Sequence, residues 1–246
     1  MANSTVTRIR KPAPGRRHVV DREHLRREHI FVDGDDEQSK IAISAYKTLR
    51  TNMLRAMQAR ETRGLLVTSP TKGAGKSVTA ANLAINIARH QDREVLLVDL
   101  DLRSPSIAQL FGLKVASGVE HAGRGGFDLK SAIVETDIPR LSLLPCAAPH
   151  QNSSELLLDR PLSSLIRSLQ RDNTGYTVVF DAPPVLGCDD VPAITPIVDL
   201  ALMVVGEAQT SRKELVRALG DIQGIDIAGV LLNKSRKKFF QQYYYG

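Results

Sequence analysis

Cysteine is scarce in this 246-residue sequence: Cys146 and Cys188 are the only two, and they form no CxxC pair. The sequence therefore predicts neither a disulfide framework nor a structural zinc site, which agrees with a reducing compartment. It also lacks any run of about 18 apolar residues, and its first residues lack the apolar core of a secretory signal. We therefore expect a cytoplasmic protein that does not cross a membrane by itself.

The sequence has 33 lysines and arginines and 27 aspartates and glutamates, so its excess of basic residues is small. Much of this excess lies at the two ends of the sequence. We predict that residues 1–38 form a disordered basic arm and that residues 234–246 form a basic tail rich in tyrosine. Such ends suit peripheral contact with anionic lipid at the inner face of the cell membrane, whereas a solvated arm is the simpler reading. No specific nucleic-acid partner is expected.

Residues 39–233 alternate short apolar runs with amphipathic stretches. Near-continuous apolar strands that alternate with helices are typical of a parallel sheet covered on both faces. We therefore predict a doubly wound, mostly parallel α/β fold with helices on both faces of the sheet. A helix is expected from an N-cap at Ser39 to about Arg60. The apolar runs are LLVTS at Leu65, EVLLVDLD at Glu94, LSLLP at Leu141, YTVVFDAPP at Tyr176, DLALMVV at Asp199 and IAGVLLN at Ile227.

The segment GAGKS, residues 73–77, lies between the first apolar run and an amphipathic stretch. Its glycines allow a tight turn that directs backbone amides at phosphate oxygens, and the lysine is expected to lie along the β- and γ-phosphates. The pattern GxxxxGK[ST] is imperfect because Pro70 stands at its first glycine. We therefore predict that the fold is of the P-loop NTPase class, with an ATP site in which Ser77 ligates Mg²⁺. The residues expected to bind the nucleotide here are Lys72, Gly73, Ala74, Gly75, Lys76, Ser77 and Val78.

Three aspartates stand at the ends of apolar runs, Asp99 and Asp101 in LLVDLDLRSP and Asp181 in VVFDAPP. The carboxyl ends of parallel strands form one ligand crevice, so we expect all three to converge on the glycine loop as catalytic residues with Lys76. Asp99 and Asp181 are predicted to join Ser77 at the metal, and either Asp99 or Asp101 to assist the acceptor hydroxyl. The alternative is that each aspartate only caps a helix or a turn.

These motifs carry a family resemblance. The segments SPTKGAGKSVTAANLA, VLLVDLDLRSP and VVFDAPPVLGCDD resemble the Walker A, Walker A′ and Walker B segments of the bacterial tyrosine kinases (BY-kinases) of capsule and exopolysaccharide loci. The terminal Tyr243, Tyr244 and Tyr245 are similar to the C-terminal tyrosine cluster of that family. The stretch TDIPRLSLLPCAAPH, together with this tail, resembles the branch linked to exosortase-type exopolysaccharide loci.

The resemblance implies a deviant-Walker, MinD-like fold and an ATP-dependent autokinase that phosphorylates Tyr243, Tyr244 and Tyr245. It also implies a membrane polysaccharide co-polymerase as activator and a homo-oligomer in at least one phosphorylation state. In the ring-forming E-x-x-R-x-x-R helix of the family, this sequence has Ser44, Lys47 and Arg50, so two of the three positions differ. The competing interpretation is a MinD/ParA-like assembly switch without kinase activity, whose tail only contacts a membrane or a partner.

Four further residues near these motifs have predicted roles. Asn233, at the end of the last apolar run, resembles the asparagine that holds adenine in related ATPases. Arg103 is expected either to contact phosphate or to pair with an aspartate. Asp189 and Asp190 are expected to begin a helix rather than to bind Mg²⁺.

Overall fold

A seven-stranded sheet organises the computed structural model, which describes residues 17–34, 36–90, 94–122, 129–171 and 175–235. The strand order is β3-β4-β2-β5-β1-β6-β7, and every neighbouring pair is parallel except β3 with β4. This mostly parallel sheet confirms the predicted fold class. The strands are β1 (Gly64–Thr68), β2 (Glu94–Asp99), β3 (Val134–Glu135), β4 (Leu141–Leu144), β5 (Tyr176–Asp181), β6 (Leu200–Gly206) and β7 (Asp226–Asn233).

Helices connect the parallel strands and cover both faces of the sheet. The longest, α2, begins after Asp36, whose carboxylate accepts a hydrogen bond from the backbone N–H of Ser39, so the N-cap is Asp36 rather than the predicted Ser39. The helices are α1 (Arg22–Arg27), α2 (Glu37–Ala59), α3 (Lys76–His90), α4 (Ile107–Leu110), α5 (Leu129–Ala132), α6 (Ser153–Leu158), α7 (Arg160–Leu169), α8 (Asp190–Ile194) and α9 (Arg212–Asp221).

The core consists of two large apolar layers, one on each face of the sheet. Successive residues of β1 alternate between them: Leu65 and Val67 pack in the layer that includes α3, and Leu66 packs in the layer that includes α7. Every residue of β1 and β5 is buried. Burial on both faces explains why these strands read as continuous apolar runs.

The register places two of the strand-end aspartates, Asp99 and Asp181, side by side. In the β2–β5 pair Asp99 lies opposite Asp181, and in the β1–β5 pair Val67 also lies opposite Asp181. At the other side of the sheet Gly206 of β6 lies opposite Asn233 of β7. The carboxyl ends of five parallel strands therefore meet at one edge, which is where open α/β sheets bind ligands.

The prediction of a disordered arm is wrong for residues 17–34 and 36–38. Residues 17–34, which we call the N-terminal segment, contain α1 and bury four apolar side chains in the core, namely Val20, Leu25, Ile30 and Val32. Residues 1–16 lie outside the described residues.

Polar contacts join the N-terminal segment to two parts of the domain. Arg22 pairs with Asp137 at 2.9 Å, and the Asn82 side chain of α3 accepts from the N–H of Phe31 at 2.8 Å and donates to the carbonyl of His29 at 2.9 Å. The segment is therefore held at the β3 side of the sheet and along α3. Across the parts of the chain that the structure describes, no helix is long and apolar enough to span a bilayer.

Candidate functional site

The glycine loop joins β1 to α3, as its sequence predicts. Gly73 and Gly75 have φ angles of +84° and +88°, a region that side-chain-bearing residues rarely adopt. A Cβ on Gly73 would meet open space, whereas one on Gly75 would overlap the amide nitrogen of Asn233. Gly73 is thus required by its backbone conformation alone, and Gly75 also by the close approach of β7.

Lys76 is the first residue of α3, and its side chain turns into the site. Its Nζ lies 2.8 Å from Oδ2 of Asp101, 3.5 Å from Oδ1 of Asp181 and 3.1 Å from Oγ of Ser77. Burial lowers the pKa of this ammonium, but the charges of Asp181 and Asp101 outweigh that effect, and the net pKa is raised. Lys76 is therefore a largely buried cation that stays protonated at neutral pH.

Asp181 ends β5 at the base of the site and is fully buried. Neither of its carboxylate oxygens accepts a hydrogen bond of normal geometry from the described residues. Burial raises the pKa of this carboxyl, and the charge of Lys76 and the nearby hydroxyl of Ser77 oppose the rise. A buried carboxylate with unsatisfied oxygens is costly unless a cation approaches it, so Asp181 is suited to receive one.

Asp99 and Asp101 are separated by one residue, yet the structure gives them different surroundings. Oδ2 of Asp99 accepts from the backbone N–H groups of Ser106 and Ile107, both at 2.9 Å, and Oδ1 accepts from that of Asp101 at 3.2 Å. Burial raises the pKa of Asp99 to about 8, and the neighbouring Asp181 adds to the rise. Asp99 therefore organises the loop after β2, while Asp101 is the aspartate that contacts Lys76.

Arg103 pairs with aspartates, which is one of its two predicted roles. Its guanidinium contacts Asp189 directly, lies 3.3 Å from Asp190, and donates to Oγ of Ser153 at 2.8 Å. Ser153 in turn donates to the fully buried Asp190 at 2.7 Å. Asp190 begins α8, as predicted. The cluster joins the loop after β2 to the loop after β5, and sequence reasoning did not identify Ser153 as part of it.

Asn233, at the end of β7, contacts the glycine loop directly. Its amide nitrogen donates to the carbonyl of Ala74 at 2.9 Å, and its amide oxygen accepts from the N–H of Lys234 at 2.8 Å. The predicted contact with adenine stays a prediction. The contact with Ala74 means that the chain leaves the sheet beside the loop that would hold the phosphates.

The remaining predicted residues fall into two groups. Lys72 is exposed at the turn of the glycine loop, and Val78 packs partly against the core from the first turn of α3. Tyr243, Tyr244 and Tyr245, the predicted phosphoacceptors, lie outside the described residues, as do the basic residues 236–238. The structure thus brings together the glycine loop, Lys76, Ser77 and the three aspartates, and it leaves the acceptor assignment a prediction.

The donor set fits ATP with Mg²⁺. Among the residues that the structure describes, no three His, Cys, Asp or Glu side chains form a ready-made metal cage. Mg²⁺ in phosphoryl-transfer sites uses one or two carboxylates together with substrate phosphates, so such a cage is not required. The unsatisfied oxygens of Asp181 and the hydroxyl of Ser77 would supply protein ligands, and the amides of the glycine loop and Lys76 would face phosphate.

The sequence is similar to a family of nucleotide-binding domains and to tyrosine-protein kinases of bacteria. Residues 65–244 match the family model described as the CobQ/CobB/MinD/ParA nucleotide binding domain. The chain is 27% identical over 213 residues to tyrosine-protein kinase YwqD of Bacillus subtilis, covering 85% of this chain and 89% of that protein. It is 32% identical over 211 residues to tyrosine-protein kinase wzc of Salmonella typhi, covering 83% of this chain but 29% of that longer protein.

Solved structures agree with these relatives. The kinase domain of Escherichia coli tyrosine kinase ETK superposes with a TM-score of 0.73 at 28% identity, covering 83% of this chain and 80% of that one. Cobyrinic acid a,c-diamide synthase from Mycobacterium smegmatis, solved with an ATP analogue and magnesium, gives a TM-score of 0.54 at 25% identity and covers 70% of this chain and 74% of that one. The chain is therefore similar to nucleotide-binding proteins and, more closely, to tyrosine kinase domains.

Proposed function

Because this chain belongs to the CobQ/CobB/MinD/ParA nucleotide-binding family and is a protein-tyrosine kinase domain of the bacterial type, we propose that it transfers the γ-phosphate of ATP to tyrosines of its own C-terminal tail. One observation carries this proposal: Lys76, Ser77, Asp101 and Asp181 converge directly beside the glycine loop. The arrangement supplies positive charge, a hydroxyl and carboxylates where phosphoryl transfer needs them.

Each residue has a defined part in the proposed transfer. The loop amides and Lys76 would hold and neutralise the phosphates, and Ser77 and Asp181 would hold Mg²⁺, which when bound offsets phosphate charge. Asp101 would orient the acceptor hydroxyl and accept its proton, because it is 4% exposed whereas Asp99 and Asp181 are 0% exposed. Asp99 would act indirectly, because its hydrogen bonds fix the loop that carries Asp101.

The point at which the described chain ends supports the proposal that Tyr243, Tyr244 and Tyr245 are the acceptors. The described chain ends at Ser235, two residues after Asn233 contacts the glycine loop. The 11 residues that follow could span at most about 40 Å when extended. This length allows the tyrosines to enter the site of a neighbouring copy, so we propose phosphorylation in trans within a homo-oligomer.

The resemblance of the motifs to those of the bacterial tyrosine kinases of capsule and exopolysaccharide loci supports a proposal for the biological setting. We propose that this kinase regulates exopolysaccharide or capsule synthesis or export, with a membrane polysaccharide co-polymerase as its activator. The basic residues of the tail, from Lys234 onward, would place it peripherally at the inner face of the membrane.

A single assay tests the proposal against the assembly-switch alternative. The purified chain is incubated with ATP and Mg²⁺, and its tail is analysed for phosphotyrosine by mass spectrometry. We expect phosphate on Tyr243, Tyr244 or Tyr245, and near-background phosphotyrosine when all three are replaced by Phe, which keeps their aromatic bulk. Phosphate found only on Tyr46 or Tyr176 would contradict the acceptor assignment.

Mixing two variants tests the trans geometry. A Lys76→Met chain with an intact tail lacks the cation aimed at the phosphates and should not phosphorylate itself. Added to a chain in which the three tail tyrosines are Phe, it should become phosphorylated. If neither chain acquires phosphate in the mixture while the unaltered protein does, transfer occurs within one chain.

A further inference from the structure

The ammonium of Lys76 lies where a metal ion would lie. Three oxygen-bearing side chains surround it, those of Ser77, Asp101 and Asp181, at 3.1, 2.8 and 3.5 Å. Hydroxyl and carboxylate oxygens are the protein ligands that Mg²⁺ prefers. The side chain of Lys76 is 12% exposed, so this cation is held by protein oxygens more than by water.

Asp181 explains why some cation must occupy this position. It is fully buried, and its oxygens have no hydrogen-bond donors of normal geometry among the described residues. An ionised carboxylate in such a place requires a positive charge nearby. Arg103 is committed to Asp189 and Asp190, and Lys72 is exposed, so Lys76 is the cation available to it.

We propose that, before nucleotide binds, the ammonium of Lys76 serves as an internal substitute for the metal ion, so that Mg²⁺ enters the site only together with nucleotide. Two cations cannot share one set of oxygens a few ångströms apart, because their repulsion opposes the gain from each carboxylate. The phosphates of a nucleotide offer Lys76 new anionic partners, and its departure from Asp101 and Asp181 frees their oxygens.

The proposal rests on the proposed function only in taking ATP with Mg²⁺ as the ligand of this site. It adds that metal without nucleotide is excluded by a charge of the protein itself. A consequence is that removing this charge should create affinity for free metal, even though the same change disables the nucleotide site.

Titration of the full-length chain with Mn²⁺ in the absence of nucleotide, followed by electron paramagnetic resonance, tests the inference. We expect weak binding to the unaltered protein and at least tenfold tighter binding to Lys76→Met. The matched control, Lys72→Met, removes an exposed lysine of the same loop and should bind as weakly as the unaltered protein. The double variant Lys76→Met with Asp181→Asn should lose the gain.

Equal Mn²⁺ affinity of the unaltered protein and Lys76→Met would overturn the proposal, as would a gain that survives Asp181→Asn. If Lys76→Met does not fold alone, because Asp181 then lacks a cation, Mn²⁺ should restore its circular dichroism and raise its melting temperature. Failure of Mn²⁺ to do so also contradicts the proposal. The phosphotyrosine assay of the unaltered protein is a separate test. An unaltered protein that phosphorylates its tail and also binds free Mn²⁺ tightly would refute this inference alone. A gain in the Mn²⁺ affinity of Lys76→Met, together with no tail phosphorylation by the unaltered protein, would refute only the proposed function.

Discussion

Replacing Leu25 with Ala tests whether the N-terminal segment is part of the folded domain. Leu25 lies on α1 and is 0% exposed, packed in the same apolar layer as α3. Leu-to-Ala changes at fully buried sites cost about 2–5 kcal/mol, which combines the lost burial with the cavity left behind. With a urea dependence of about 3 kcal/mol per molar for a domain of this size, the unfolding midpoint should fall by about 1 M.

Far-ultraviolet circular dichroism is the suitable probe, because the sequence contains no tryptophan. Val19→Ala is the matched control within the same segment, since Val19 is 75% exposed and should change the midpoint little. Leu83→Ala, at a fully buried position of α3, shows the size of a shift in the established core. If Leu25→Ala shifted the midpoint no more than Val19→Ala, the segment would not be packed as the structure has it.

Two further predictions concern the site. Gly75→Ala should weaken ATP binding at least tenfold in calorimetry, because the φ of Gly75 is +88° and a Cβ there would overlap Asn233. Gly73→Ala should weaken ATP binding less, because Gly73 has a similar φ of +84° but a Cβ there would face open space. Equal effects of the two changes would contradict the role given to Asn233. Arg103→Met should lower the free energy of unfolding by about 2 kcal/mol in urea, because Asp190 is left buried without its cation. Adding Asp190→Asn should recover part of this loss, and no recovery would show that Arg103 and Asp190 do not act as a pair.

The sequence was sufficient for the parallel strands and for the glycine loop. Strands buried on both faces appear in the sequence as continuous apolar runs. The glycine loop needs glycine at Gly75 followed by Lys76 and Ser77, a combination that few other structures require. It was not sufficient for the N-terminal segment. Val20, Leu25 and Ile30 follow neither a helical nor a strand period, and their burial depends on partners far along the chain, such as Asp137 for Arg22.

The different contacts of Asp99 and Asp101 also required the structure. Their spacing places both at the end of β2 and gives no preference between them. The loop after β2 distinguishes the two aspartates, because its N–H groups of Ser106 and Ile107 donate to Asp99, whereas Asp101 contacts Lys76. Short edge strand β3 was likewise missed, since its two residues are too few to show alternation.

The placement of the two ends of the described chain has a practical consequence. Residue His18 pairs with Thr136 beside β3, at one margin of the sheet, and Asn233 ends β7 at the other margin. Six strand spacings of about 4.8 Å separate the two margins by about 29 Å. A resin, a surface or a fused protein attached ahead of residue 17 would therefore hold the described domain near the margin remote from Asn233. Immobilised in that orientation, the domain would present its β7 margin to a second copy in solution, which suits a single-molecule test of the proposed trans-phosphorylation.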